Sequence, residues 1–180
     1  MKKITALLLC ITIVLCVCGC KKEKQQLISP VSFYYRSAEM VYDGTSAIIS
    51  AEQRESAGFN GNMQLLLNAY FNGPVSPELT SPFPRSLKVI SYSAYGATAT
   101  VQVSSVISQI KGIDVSIACA CIASTILDMD ESINRVQITS SGAYLDGTDS
   151  VTIARDDLLL LDTASETLPK ETESVTESIQ

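Results

Sequence analysis

The chain has 180 residues, 46% of them hydrophobic, and its 13 basic and 19 acidic side chains give a formal charge of −6. An acidic chain without a basic stripe does not suit nucleic acid, whose phosphates call for clustered Lys and Arg. It contains no histidine, the commonest general base and metal ligand, and no tryptophan, with aromatics at only 6%, which also speaks against a sugar-stacking platform.

Lys2 and Lys3 open the chain with positive charge, and Ile4 to Cys18 is an uninterrupted apolar segment. As a helix it would be roughly 22 Å long, too short to cross a hydrocarbon core of about 30 Å comfortably. A cleaved export signal is therefore expected over residues 1–19, with small Gly19 at the cut. Val17-Cys18-Gly19-Cys20 resembles the lipobox of bacterial lipoproteins. That resemblance implies Cys20 as the lipidation site, because Cys10, Cys16 and Cys18 each follow a bulky Leu or Val. Two acyl chains would hold the protein on the extracytoplasmic face of the cell membrane with on the order of 20 kcal/mol. Cleavage removes Lys2 and Lys3, leaving 11 basic residues against 19 acidic ones and a formal charge of −8. Contact with anionic membrane should then run through the lipid alone. Residues 20–30 are polar and aperiodic, as expected of a flexible tether.

From residue 31 the hydrophobic period switches between strand and helix. Val31 to Arg36 is β-branched and aromatic, and Ser46 to Ser50 is a second apolar run behind an Asp43-Gly44 turn signal, so both are predicted strands. Met63, Leu66, Leu67, Tyr70 and Phe71 form the stripe of an amphipathic helix that Asn60 or Asn62 can cap and Gly73-Pro74 stops. Ser76 to Pro84, with three prolines, reads as a loop. Leu87 to Tyr92 and Ala97 to Val103 are expected to pair as a hairpin through Ala94-Tyr95-Gly96. A second helix is predicted from Asp114 to Met129, the most buried element because Ala118, Ala120, Ala123 and Ser124 allow close approach. Cys119 and Cys121 lie on it two apart, so they cannot pair with each other and read as small core residues. A strand from Ile133 to Thr139 follows, the turn Ser140-Ser141-Gly142, and then a final edge from Val151 to Ala154 and Leu158 to Leu161. Residues 163–180, acidic and rich in Ser and Thr, are expected to be a disordered tail.

This order predicts an α+β fold, a two-layer sandwich of a small mixed sheet with two helices packed on one face, as one domain over residues 31–162. The same residues resemble the GerMN (sporulation and spore germination) domain. The match rests on Phe33-Tyr34-Tyr35, on Glu52 and Arg54 after the second strand, and on the helix ending Gly73-Pro74. Ser81-Pro82-Phe83-Pro84, Thr125 with Leu127, and Val136-Gln137-Ile138 leading to Gly142 complete it. The resemblance implies a module similar to ring-building motifs of envelope assemblies, carried on a lipoprotein and without known catalytic activity. Some members carry two such domains, and this chain has room for one; Arg155 to Asp157 has no counterpart in the pattern.

Carboxylates gather at Asp128, Asp130 and Glu131 and at Asp146, Asp149, Asp156 and Asp157. A calcium site or a glycosidase pair is the sharp reading and solvated helix ends and turns the bland one. With Ser and Thr lacking an activating partner, no catalytic residue, no metal site and no cofactor are expected. The candidate contact residues are Glu52 and Arg54, two apart on one strand face, where they either pair with each other or meet a partner, and Phe83, either a docking knob or a plug for the open end of the core. Taken together, the expected function is a protein-interaction scaffold or assembly factor in sporulation, germination or another envelope process, with protein partners in the envelope and self-association among the options. The alternatives are an accessory lipoprotein regulating a membrane sensor kinase, or a binder of an envelope ligand such as a peptidoglycan fragment.

Overall fold

The computed structural model describes residues 30–39 and 47–158. The signal segment, Cys20, the tether, the Asp43-Gly44 turn, the Leu159 to Leu161 part of the predicted final edge and the acidic tail lie outside the described residues. Within them the fold is α+β, with the expected two helices and mixed strand pairing.

The strands divide between two sheets where one was anticipated. β1 (Val31–Ser37) lies between β2 (Ile49–Arg54) and the short β3 (Leu79–Thr80), antiparallel to both. β2 starts and ends later than the apolar run suggested. Pairing with β1 carries the strand on through polar Glu52, Gln53 and Arg54, whose partners are Phe33, Ser32 and Val31. The Pro-rich loop likewise yields β3, because Arg36 and Ser37 offer it a backbone edge.

The second sheet has the order β4–β5–β6–β7, from β4 (Val89–Tyr95), β5 (Thr98–Ser104), β6 (Arg135–Ser141) and β7 (Ser150–Ala154). β4 and β5 form the expected hairpin, displaced by a few residues and turning at Gly96, whose φ of 56° suits glycine. β5 and β6 are parallel, so they need a crossover, and α2 (Ile113–Met129) supplies it. Ala99, Val101 and Val103 of β5 and Val136 and Ile138 of β6 alternate into the core with no exposed surface.

α1 (Met63–Tyr70) starts at Asn62, whose side chain accepts the Leu65 N–H at 3.1 Å, and buries Met63, Leu66, Leu67 and Tyr70 as the stripe requires. α2 is buried over most of its length, including Cys119 and Cys121, both free thiols. Burial pushes the Cys119 thiol up to about 12 and Cys121 higher still, which keeps both protonated and inert. Among the described residues no helix is long and apolar enough to cross a membrane.

Candidate functional site

β2 carries Glu52 and Arg54 on the face that looks toward α1, and the structure brings the two together. Arg54 Nε donates to Glu52 Oε1 at 2.5 Å. Glu52 Oε2 accepts the backbone N–H groups of Val75 and Ser76, each at 2.9 Å. Arg54 Nη2 donates to the Gly73 carbonyl at 2.8 Å, and its guanidinium lies over the rings of Phe33 and Tyr35 at 5.3 and 5.8 Å. The pair thus clasps the loop after α1 onto β2. Only 22% of the Arg54 side chain and 13% of Glu52 remain exposed, too little for an ordinary surface ion pair. Partial burial acts to raise the Glu52 carboxyl. The Ser76 N–H, Arg54 and the Val75 N–H outweigh it and hold the group below its usual range.

Phe83 is the plug of the core. It packs against Phe71 and Tyr70 with ring centroids 4.8 and 5.0 Å away and reaches Tyr35 at 6.4 Å, leaving 8% of its surface exposed. A docking knob would need its ring outside. Phe33 stacks on Tyr70 in the same aromatic cluster, so Arg54, Phe83 and the first strand form one continuous packed unit.

Behind the clasp lies a network of hydroxyls that periodicity could not reveal. Tyr34 turns its backbone away from β2; its N–H donates to Thr125 Oγ1 at 3.0 Å, and its carbonyl accepts the Tyr70 hydroxyl. Tyr35 in turn donates to the Tyr70 carbonyl at 2.8 Å. Side chains from both helices therefore satisfy the β1 edge that no strand covers at this point. Burial drives the Tyr70 phenol well above its ordinary value, against a hydrogen bond with Thr125. The hydroxyl stays protonated and structural.

α1 seals β4 in the same way. Asn68 Oδ1 accepts the Val89 N–H at 2.9 Å, and Gln64 Nε2 donates to the carbonyls of Val89 and Ile90. Arg155, which had no assigned role, reaches back to the end of α2. Its Nη2 donates to the Leu127 and Ile133 carbonyls at 2.7 and 2.8 Å, placing a cation where the helix dipole is negative.

Three members of the acidic clusters hold local turns or the start of α2. Asp130 Oδ1 accepts from the backbone and hydroxyl of Ser132, Asp146 Oδ2 from the Gly112 N–H, and Asp157 Oδ2 from the Ala154 N–H. Among the described residues no group of three or more Cys, Asp or Glu side chains could hold a metal ion.

Two concavities flank β2. One, of about 540 Å³, lies between Ser50 to Glu52 and the Ser76 to Leu79 loop, with Glu39 and Glu78 on its walls. The other, of about 470 Å³, separates the far face of the sheet at Tyr34, Ile49 and Ala51 from the α2 stripe of Ile113, Ser116, Ile117, Ala120 and Ser124. Sequence reasoning named neither, because each depends on how two elements stand apart.

This architecture, two small sheets joined by a buried crossover helix and an aromatic cluster, is similar in fold to solved GerMN domains. The structure of the tandem GerMN domains of the sporulation protein GerM from Bacillus subtilis superposes with a TM-score of 0.51 at 16% identity, over 68% of this chain. The chain spans 43% of that protein's length, in keeping with one domain against a tandem pair. A second structure, named "Putative Lipoprotein from Clostridium perfringens", matches at a TM-score of 0.46 and 21% identity over 73% of this chain and 89% of its own. No protein-family model matches the sequence, and no curated protein matches it.

Proposed function

We propose that the protein is a lipoprotein anchored through Cys20 to the outer face of the cell membrane, where its GerMN-fold domain works by contact with other envelope proteins as a scaffold or assembly factor. The observation that carries this reading is the GerMN fold itself, which the chain joins to an export signal ending at a lipobox-like cysteine. The interior supports the same view. Thr125 and Tyr70, the Glu52–Arg54 clasp, and Asp130, Asp146 and Asp157 are engaged in holding strand edges, loops and helix ends, and nucleophiles such as Cys119 are buried and protonated. A non-catalytic adaptor needs a rigid body and exposed contact surface. Leu65, Val75, Ile90, Tyr95, Ile113 and Tyr144 supply large apolar side chains on that surface. Sporulation or germination is the setting that the GerM likeness suggests for it.

The test is capture of partners from membranes with the lipidated, detergent-extracted protein. Charge substitutions at exposed Tyr95 and Ile90 should abolish capture of an envelope protein while leaving thermal unfolding unchanged. Capture that survives both substitutions, or a substrate turned over by the purified domain, would overturn the scaffold reading.

A further inference from the structure

The groove between β2 and α2 has features of a seat awaiting a particular segment. Its walls are mostly apolar, with Asp157 and three serines among them, and Ile113 on its rim is 57% exposed. At the same time Ser124, on its lining and 3% exposed, has a hydroxyl with no hydrogen-bond partner among the described residues. An unpaired buried hydroxyl is unfavourable when left dry, so the groove suits an occupant that brings a main-chain carbonyl or N–H as well as apolar side chains.

The register of β2 points the same way. Tyr34 directs its backbone groups away from β2, so Tyr34 and Ala51 are a non-hydrogen-bonded pair. By the alternation of an antiparallel ladder, the backbone groups of Ile49, Ala51 and Gln53 point outward, along an edge that no strand among the described residues covers. Ile49 and Ala51 are also lining residues of the groove. A segment lying there would meet open backbone and apolar wall together.

The described chain ends at Leu158, itself on the groove wall, and the sequence continues Leu159-Leu160-Leu161-Asp162. We infer that the groove is the seat of this leucine run: residues 159–161 pass as an extended segment along the outer edge of β2, with Leu160 following Leu158 into the groove. Three extended residues span roughly 10 Å, enough to pass two outward-facing positions of β2. With a period of two, Leu158 and Leu160 share a face, while Leu159 and Leu161 fall on the other. Asp162 ends the apolar run. The fold thereby covers its own exposed edge, which would otherwise template pairing with another chain.

The experiment places a benzoylphenylalanine photo-cross-linker at exposed Ser116 in the full chain, extracted from membranes in detergent. Trypsin cuts after Arg155 and Lys170, isolating the run on one fragment, 156–170. The expected result is a link between α2 and fragment 156–170 at monomer mass, several-fold weakened by Leu160→Ser. Amide exchange gives a second readout that the cross-linker cannot bias. In the otherwise unmodified chain the N–H groups of Ile49 and Ala51 exchange slowly, and Leu160→Ser speeds them at least tenfold. A link at twice the monomer mass would assign the groove to a second copy and overturn the proposal, as would a link to another protein. No link together with unchanged exchange in Leu160→Ser would equally overturn it.

Discussion

Replacing Glu52 by Ala removes the acceptor for three hydrogen bonds at once, from Arg54 and from the N–H groups of Val75 and Ser76. Bonds to a charged group contribute about 1.5–3 kcal/mol each, and breaking a buried ion pair costs about 3–5 kcal/mol. Here the lower end applies. The Val75 N–H is exposed enough for water to replace its partner, and Arg54 keeps the Gly73 carbonyl and two aromatic rings. The expected loss is about 3 kcal/mol, or roughly 10 °C in melting temperature for a domain of this size. Urea unfolding at neutral pH measures it, and a cycle with Arg54→Met, which keeps the apolar stem over Phe33 and Tyr35, should give about 1–2 kcal/mol of coupling. The pH dependence is the sharper check. Glu52 is held below its ordinary value in the fold, so between its folded and unfolded pKa the unfolded chain binds more protons and stability rises with pH. Its contribution is complete above the unfolded value and disappears as pH falls through the folded one. The gap between the original chain and Glu52→Ala should therefore close in acid. A loss under about 0.5 kcal/mol, or a gap that persists at a pH where Glu52 is protonated in both states, refutes the clasp.

Thr125→Val preserves shape but leaves the Tyr34 N–H without its acceptor, and Tyr70→Phe strands the Tyr34 carbonyl; each should cost about 1–3 kcal/mol in urea unfolding, and the double variant less than their sum. Arg155→Ala uncaps α2 at a partly exposed position, and a loss of about 1 kcal/mol is expected, with faster amide exchange in the residues around Met129. Cys20→Ala should abolish metabolic labelling by a fatty-acid probe and release the protein from membranes; labelling that persists places the lipid on another residue. Phe83→Ala opens the aromatic cluster and should cost about 3–5 kcal/mol, whereas a docking knob would lose binding with stability intact.

What could be read from the sequence was what has a period. The stripe of α1, the alternation in β5 and the small-residue sides of α2 are local consequences of 3.6 and 2.0 residues per repeat, and the fold class followed from their order. Strand limits were read less well, since β2 runs on through Glu52, Gln53 and Arg54 only because β1 offers the opposite edge. The clasp was half legible: a spacing of two put Glu52 and Arg54 on one face, but the Gly73 to Ser76 loop that they hold lies about twenty residues away. Phe83 between two prolines favoured the plug over the knob without settling it, and the positions of Phe71 and Tyr70 decide for the plug. Arg155 carried no signal at all, because its partners are backbone carbonyls, which every sequence supplies.

The sealed and unsealed edges follow one logic. Where β1 lacks a neighbour, Thr125 and Tyr70 satisfy Tyr34; where β4 meets α1, Gln64 and Asn68 satisfy Val89 and Ile90. Thr125 and Tyr70 are already fixed by core packing, so the first device adds hydrogen bonds at little further cost in entropy, whereas exposed Gln64 must be ordered to make its own. β2 has no such cover at Ile49 and Ala51, although the α2 stripe stands across the groove from them. The helix presents the short side chains of Ser116, Ala120 and Ser124 there, and the Ser124 hydroxyl has no partner among the described residues. An edge left open beside such a trench is an aggregation hazard. A chain that ends its described course on the wall of that trench, with three more leucines in sequence, carries a means of closing it. The consequence is directional. Removing Leu160 should raise self-association through β2, whereas removing exposed Tyr95 from the far sheet should not, and sedimentation of the two variants at equal concentration separates them.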